Sequence, residues 1–321
     1  MASNLKLEVF RISLKKKHTS DKDLCCFKDL FDVINTKKGK AYRQFIQDFI
    51  KYFDGEFRLN ADKNKGISSS NSRNFKPDTN SNVINGEVYG GPTDMEQTIY
   101  KRNNAKQHTG LLKTDDITTL PFFFKLWTPY DHTTGVLMVQ SYSNETITKL
   151  LQHHLQKFIH QYGYSLIFTP FVPKKVLDHY KGNANVYKVT YIKEGLTRGK
   201  RKLINPIFAE FEDIKIRIEI SGFKKSIHDF WDEFNSALPI SSNLEDFEIK
   251  EQNDYDVVAS YIDANGHRAS TGVKKDLEFN PTIFLPDDLK IGSSNLYDFE
   301  KITKHTDSIL EDIKKDINYN L

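Results

Sequence analysis

Cysteine is almost missing from this chain. Only Cys25 and Cys26 occur, and they are neighbours. Adjacent cysteines rarely bridge, because the small ring strains the peptide, so a disulfide framework is excluded. No second pair exists to complete a four-ligand zinc site. Both absences suit a reducing, cytoplasmic compartment. Long apolar runs are missing too. No stretch of about 18 apolar residues is present, so no membrane span is expected. The opening MASNLKLEVFRISLKKK is broken by charges and does not read as a secretory signal. A dominant charge is also lacking. Lys and Arg number 46 against 43 Asp and Glu, a net charge of +3. Any electrostatic partner must therefore be sought in local clusters.

The usual linear signatures are absent as well. YGGPT is not a P-loop, and no G-x-G-x-x-G opens a helix, so no nucleotide cradle and no cofactor are expected. There is no G-x-S-x-G elbow, and neither cysteine sits in a nucleophile signature. RNNAKQH carries Arg102 and His108 at a spacing that could grip a phosphate on a helix, but its flanks QTIYK and TGLL read as strand and turn. His153, His154 and His160 share one predicted helix. His153 and His160 stand two turns apart, roughly 10 Å by helix rise, too far to share one ion, and no metal is expected.

What is present suits a folded protein of two parts. The chain has 321 residues, with 38% hydrophobic and 12% aromatic. Leu5 to Leu14 alternates as a first strand. Leu24, Phe27, Leu30, Phe31 and Ile34 form one helical stripe, and Tyr42, Phe45, Ile46, Phe49, Ile50 and Phe53 a stronger one. The Asn- and Ser-rich segment 60–82 predicts a flexible insertion. Val83 to Ser143 reads as β-rich, with the glycines of VINGEVYGGPT in a turn and Phe122–Trp127 as a central strand covered on both faces. A helix capped by Ser143 or Asn144 follows, with Ile147, Leu150, Leu151, Leu155, Phe158, Ile159 and Tyr162 inward. A strand, a short helix and another strand lead to a basic loop.

Beyond that loop, DIKIRIEIS alternates as a strand, Ser226 caps a predicted helix, and Asn265-Gly266 suits a type I′ hairpin. A final helix carries Phe299, Ile302, Thr306, Ile309, Ile313 and Ile317 on one side. The expected fold class is α+β, with mixed or antiparallel sheets and helices packed on one face. Two domains are expected, 1–202 and 203–321.

Function rests on the basic loop. Arg198, Lys200, Arg201 and Lys202 crowd four cations into five residues, which like-charge repulsion disfavours without a nearby anion or solvent screening. Lys174, Lys175 and Lys188 precede them, and Tyr187 and Tyr191 alternate on the intervening strand, placed to stack on bases if exposed. The pattern points to a nucleic-acid-binding protein whose cations contact phosphates. Abundant Asn, Lys, Ile and Tyr beside scarce Ala suit an AT-rich genome, which suggests a bacterial phage-defence or mobile-element setting. Two alternatives follow from other features. Glu248 and Lys250 form a Glu-x-Lys pair on a predicted strand, the arrangement with which restriction-type nucleases hold Mg²⁺ and position water. The last helix could instead dock a protein partner or a second copy, making the chain a non-catalytic subunit.

Overall fold

Strand β1 (Leu5–Lys16) buries Leu5, Leu7 and Val9 in strict alternation, then slips phase and continues with Ile12 and Leu14. That row is buried while the strand's backbone pairs with a neighbour on each side, which places it inside its sheet. The computed structural model describes residues 4–34, 41–69, 72–101, 103–143, 145–226, 229, 256–273 and 281–319. They fall into two compact units. One comprises Met1–Phe171 with Phe284–Lys314, the other Val172–Ile283 with Lys315–Leu321. Leu203, where the sequence suggested a boundary, lies well inside the second unit, because the strand preceding it pairs within that unit's sheet.

The first unit contains β2 (Leu24–Cys25), α1 (Phe27–Ile34), α2 (Ala41–Phe53), β3 (Arg58–Leu59), β4 (Lys65–Ser68), β5 (Phe75–Asp78) and β6 (Val83–Pro92). After them come β7 (Gln97–Lys101), β8 (Asn104–Leu112), β9 (Leu120–Trp127), β10 (Thr134–Tyr142), α3 (Thr148–His160) and β11 (Tyr164–Pro170). The sheet order is β11-β1-β10-β9-β6-β4-β3, with β2 beside β1 and β5 beside β6. The pairings along it are antiparallel. The α+β class therefore holds.

Helices do not keep to one face of this sheet. On β9, Phe124 packs on Phe49 of α2 and on Phe75. The next residue points the opposite way. That residue, Lys125, pairs with Asp307 on the terminal helix, and Phe123 meets Phe299 of the same helix at 5.5 Å. Continuous burial from Phe122 to Trp127 follows from cover on both sides.

Segment 60–82 is not an insertion outside the sheet. It supplies β4 and β5, and Ile67 and Phe75 are core residues. Its polar side chains bond backbone groups: Asn60 Oδ1 accepts from the amides of Asn64 (3.0 Å) and Lys65 (3.1 Å) within the segment, and the Ser68 and Ser69 hydroxyls both donate to the Phe53 carbonyl at the end of α2. A composition that resembles disorder here replaces solvent with local bonds. The glycines of VINGEVYGGPT are likewise not in a turn but inside β6. Gly86 lies directly opposite Phe124, whose ring occupies the space of a Cβ, and a Cβ on Gly91 would sit 1.8 Å from the Thr118 carbonyl oxygen. Glycine at these points permits close approach, not a change of direction. Helix α3 begins at Thr148, later than a cap at Ser143 or Asn144 would place it, and Thr146 Oγ1 accepts from the Thr148 amide.

The second unit contains α4 (Lys174–Asn183), β12 (Asn185–Lys193), α5 (Arg198–Ile204), β13 (Ile216–Ser226), β14 (Asp256–Ile262) and β15 (Arg268–Val273). Its sheet runs β13-β12-β14-β15, and Val186, Val189, Tyr191, Val257, Ala259 and Tyr261 form its core with Tyr180 of α4. The β14–β15 hairpin is present, although five residues, not two, join Ile262 to Arg268, with Gly266 at φ +81°. Ser226 Oγ accepts from the Asp229 amide, as a cap would. Strand β16 (Ile283–Phe284) pairs with β1, and α6 (Phe299–Asp316) is the last helix among the described residues.

Candidate nucleic-acid interface

The basic segment is helical. Thr197 is the N-cap, its side chain accepting from the Lys200 amide, and α5 runs from Arg198 to Ile204. Asn205 then turns extended, because a residue before proline avoids helical angles. The Asn205 side chain caps a 3₁₀ turn, Pro206–Glu210, by accepting from the Ile207 amide.

Helical winding separates the four cations. Arg201 is 9% exposed, and its Nη1 donates to the Glu212 carbonyl at 2.9 Å. Its stem and guanidinium fasten α5 to the chain beyond the 3₁₀ turn, so Arg201 is a structural residue and not a phosphate contact. Arg198 and Lys202 lie four residues apart on one side of the helix. Both are exposed, and Lys200 is half-buried on the other side. Leu203, about 200° round from Arg201 by helical winding, is 79% exposed. Downstream, Ile204, Ile207, Phe208 and Phe211 are also exposed. Charge clustering marks α5 in the sequence, and it says nothing of these apolar neighbours. In LINPIFAEF, Ile204, Ile207, Phe208 and Phe211 fall at the i, i+3, i+4, i+7 spacing that ordinarily marks a buried helical face, yet the structure leaves them exposed.

The other expected cations lie on different elements. Lys174 and Lys175 are exposed at the start of α4, and the Lys174 backbone amide donates to Asp316. Lys188 on β12 pairs with Glu219 at 3.0 Å, and Lys215 nearby pairs with Glu194. The exposed pair with Glu219 offsets part of the Lys188 charge, and Lys188 is not among the cations of α5. Tyr191 is buried in the core of the second unit, and Tyr187 lies beneath the Arg268 guanidinium, 5.7 Å from its ring centre. Tyr191 cannot stack on a base.

Glu248 and Lys250 lie outside the described residues. Arg102 does as well, and its neighbours belong to a β-hairpin and not to a helix. Among the described residues, no group of three or more His, Cys, Asp or Glu is placed to hold a metal ion. His154 is buried, with Nε2 3.2 Å from the Leu59 carbonyl and Nδ1 3.3 Å from the Tyr52 hydroxyl.

Two further features are structural. The Lys125 side chain is fully buried between β9 and α6, and burial holds its pKa below the usual lysine value despite Asp307. The apolar face of α6 is covered: Ile302, Thr306, Ile309, Leu310 and Ile313 are all buried. That face is therefore not a docking surface. Among the described residues no helix is long and apolar enough to cross a membrane. The chain matches no protein-family model and no curated protein.

Proposed function

We propose that the protein binds nucleic acid through α5 and the 3₁₀ turn after it. Arg198, Lys200 and Lys202 contact phosphates, and Lys174 and Lys175 support them. One observation carries the reading. Three cations that are not committed to the core share a seven-residue helix, and two exposed rings, Phe208 and Phe211, follow directly. Cations that track a backbone beside aromatic faces that stack on bases are the arrangement by which proteins hold single strands without reading sequence. Exposed apolar side chains in this number are costly to keep in water unless a ligand covers them.

The test replaces Arg198, Lys200 and Lys202 together by Ser and leaves Arg201, which anchors the helix. These side chains are outside the core, so stability should change by less than about 0.5 kcal/mol. Losing three phosphate contacts on a single strand should flatten the slope of log K against log salt by about 2 units. All sequences should weaken about equally, because phosphate contacts carry no base information. An unchanged slope would remove the reading. If the protein instead elutes as a stable oligomer that Leu203→Ser with Phe208→Ser dissolves, the surface joins copies of this chain.

A further inference from the structure

We infer that the β7–β8 hairpin is a separate docking arm for double-stranded DNA, shaped to lie in the major groove. It shares with the reading above only the class of ligand and rests on different residues. Strands β7 and β8 form a two-stranded sheet of their own, paired from Gln97↔Leu112 to Lys101↔Asn104. Every residue of β7 is exposed, and so are Lys106, Gln107, His108 and Leu111 of β8. Among the described residues, neither face of β7 is covered. Ile99 and Tyr100, which point to opposite faces, are 44% and 54% exposed. A lone two-stranded ribbon is marginally stable in water. This one is held at its root, where the Asp94 amide donates to the Thr114 carbonyl, and the Thr93 hydroxyl to the carbonyls of Thr114 and Asp116.

Charge identifies the occupant. Between Glu96 and Asp115 there is no carboxylate, while Lys101, Arg102, Lys106 and Lys113 supply four cations and His108 a titratable ring. Four positive charges in that stretch exceed the +3 of the whole chain. A protein partner would be held mainly by the apolar residues, which leaves this excess unexplained; a polyanion accounts for it. Shape narrows the choice. The major groove of B-form DNA, about 12 Å wide, admits a two-stranded ribbon, whereas that of A-form RNA is too narrow for side chains. The paired ribbon is set by the five residues of β7, about 17 Å at strand rise and roughly half a turn of the duplex, and β8 bulges opposite Tyr100 and Lys101, where the register shifts. Amides of Gln97, Asn103 and Gln107 lie among the cations in sequence and can address base edges. The acids Asp94, Asp115 and Asp116 stand at the root, where they line a cavity of about 450 Å³ with Phe57, Leu59 and Ile117. Their charge repels phosphates from the root and confines contact to the ribbon itself.

The experiment measures binding of a labelled duplex of roughly two helical turns, and of one of its strands alone, across a salt series. Two ribbon variants are compared with the wild type: Lys101, Arg102, Lys106 and Lys113 all to Ser, and the single charge reversal Lys106→Glu. The quadruple variant should lose about 3–4 units of salt slope on the duplex and bind the single strand as before. The charge reversal should weaken duplex binding several-fold. The inference is overturned if both variants bind duplex like the wild type, or if single-strand binding falls equally. It is also overturned if the wild type elutes as a dimer that the ribbon variants convert to monomer. The Arg198, Lys200 and Lys202 variant separates the two ideas. If it leaves single-strand binding intact while the ribbon variants abolish duplex binding, the α5 reading fails and the ribbon stands.

Discussion

Replacing Phe49 by Ala should lower the stability of the protein by about 3–5 kcal/mol. The Phe49 ring is fully buried, and its centre lies 5.1 Å from that of Phe53, 5.6 Å from Phe158, 5.7 Å from Phe75 and 6.0 Å from Phe124. Those partners belong to α2, α3, β5 and β9. Truncation would remove the transfer free energy of the ring and leave a cavity that four elements would have to collapse together to fill. At a few degrees per kcal/mol, the melting temperature should fall by roughly 10 °C. Val33→Ala is the control. Val33 is exposed on the neighbouring helix, and its loss should change stability by less than about 0.5 kcal/mol. Thermal melts giving Phe49→Ala the same midpoint as Val33→Ala would show that the aromatic cluster is not the organising core.

Acid should remove about 3 kcal/mol of stability through His154 alone. The Leu59 carbonyl can only accept, so Nε2 carries the proton, and Nδ1 accepts from the Tyr52 hydroxyl. The ring is satisfied only when neutral. Burial pushes its pKa down to about 4, and the neighbouring His153, Lys157 and Arg58 oppose a further positive charge. In the unfolded chain the group titrates at about 6.5. Between pH 6.5 and 4 the unfolded state therefore binds a proton that the folded state refuses. Stability from this group is fully present above pH 6.5 and declines as pH falls toward 4. His154→Gln removes the titration and keeps a donor and an acceptor. Carboxylates act equally on both proteins, so the difference between their denaturation curves isolates the histidine. The wild type should lose about 3 kcal/mol more than the variant between pH 7.5 and 4. Parallel pH profiles would disprove the assignment.

The readable parts of the fold were those where periodicity and burial agree. Phe27, Leu30 and Phe31 of α1, the stripe of α2 and the terminal helix α6 follow from helical spacing, whereas Leu24, expected in the first stripe, lies exposed on β2; β1 shows its alternation with one slip of phase, and β9 its cover on both faces. Segment 60–82 misled because Asn and Ser bonding the local backbone cannot be told by composition from Asn and Ser bonding water. The β6 glycines misled because close approach of Phe124 and Thr118 is a property of the partner strand and loop. The site was legible as charge and illegible as geometry. Nothing in RGKRK distinguishes Arg201 from its neighbours; the distinction comes from a carbonyl eleven residues later, at Glu212. Lys188 is paired with Glu219, its diagonal neighbour on the next strand, opposite Thr190. Residues 97–101 read as strand from their β-branched and aromatic content, but whether such a strand joins a sheet or stands in solvent depends on what lies beside it.

The central claim is that the protein binds nucleic acid through phosphate contacts made by Arg198, Lys200 and Lys202. Its most direct test is the affinity of the unmodified protein for a single-stranded oligonucleotide, measured between about 50 and 200 mM salt. Three contacts predict log K falling with log salt at a slope of about −2 or steeper, with mixed sequences bound alike. No binding at the lowest salt, or binding with a slope of zero, would contradict the account.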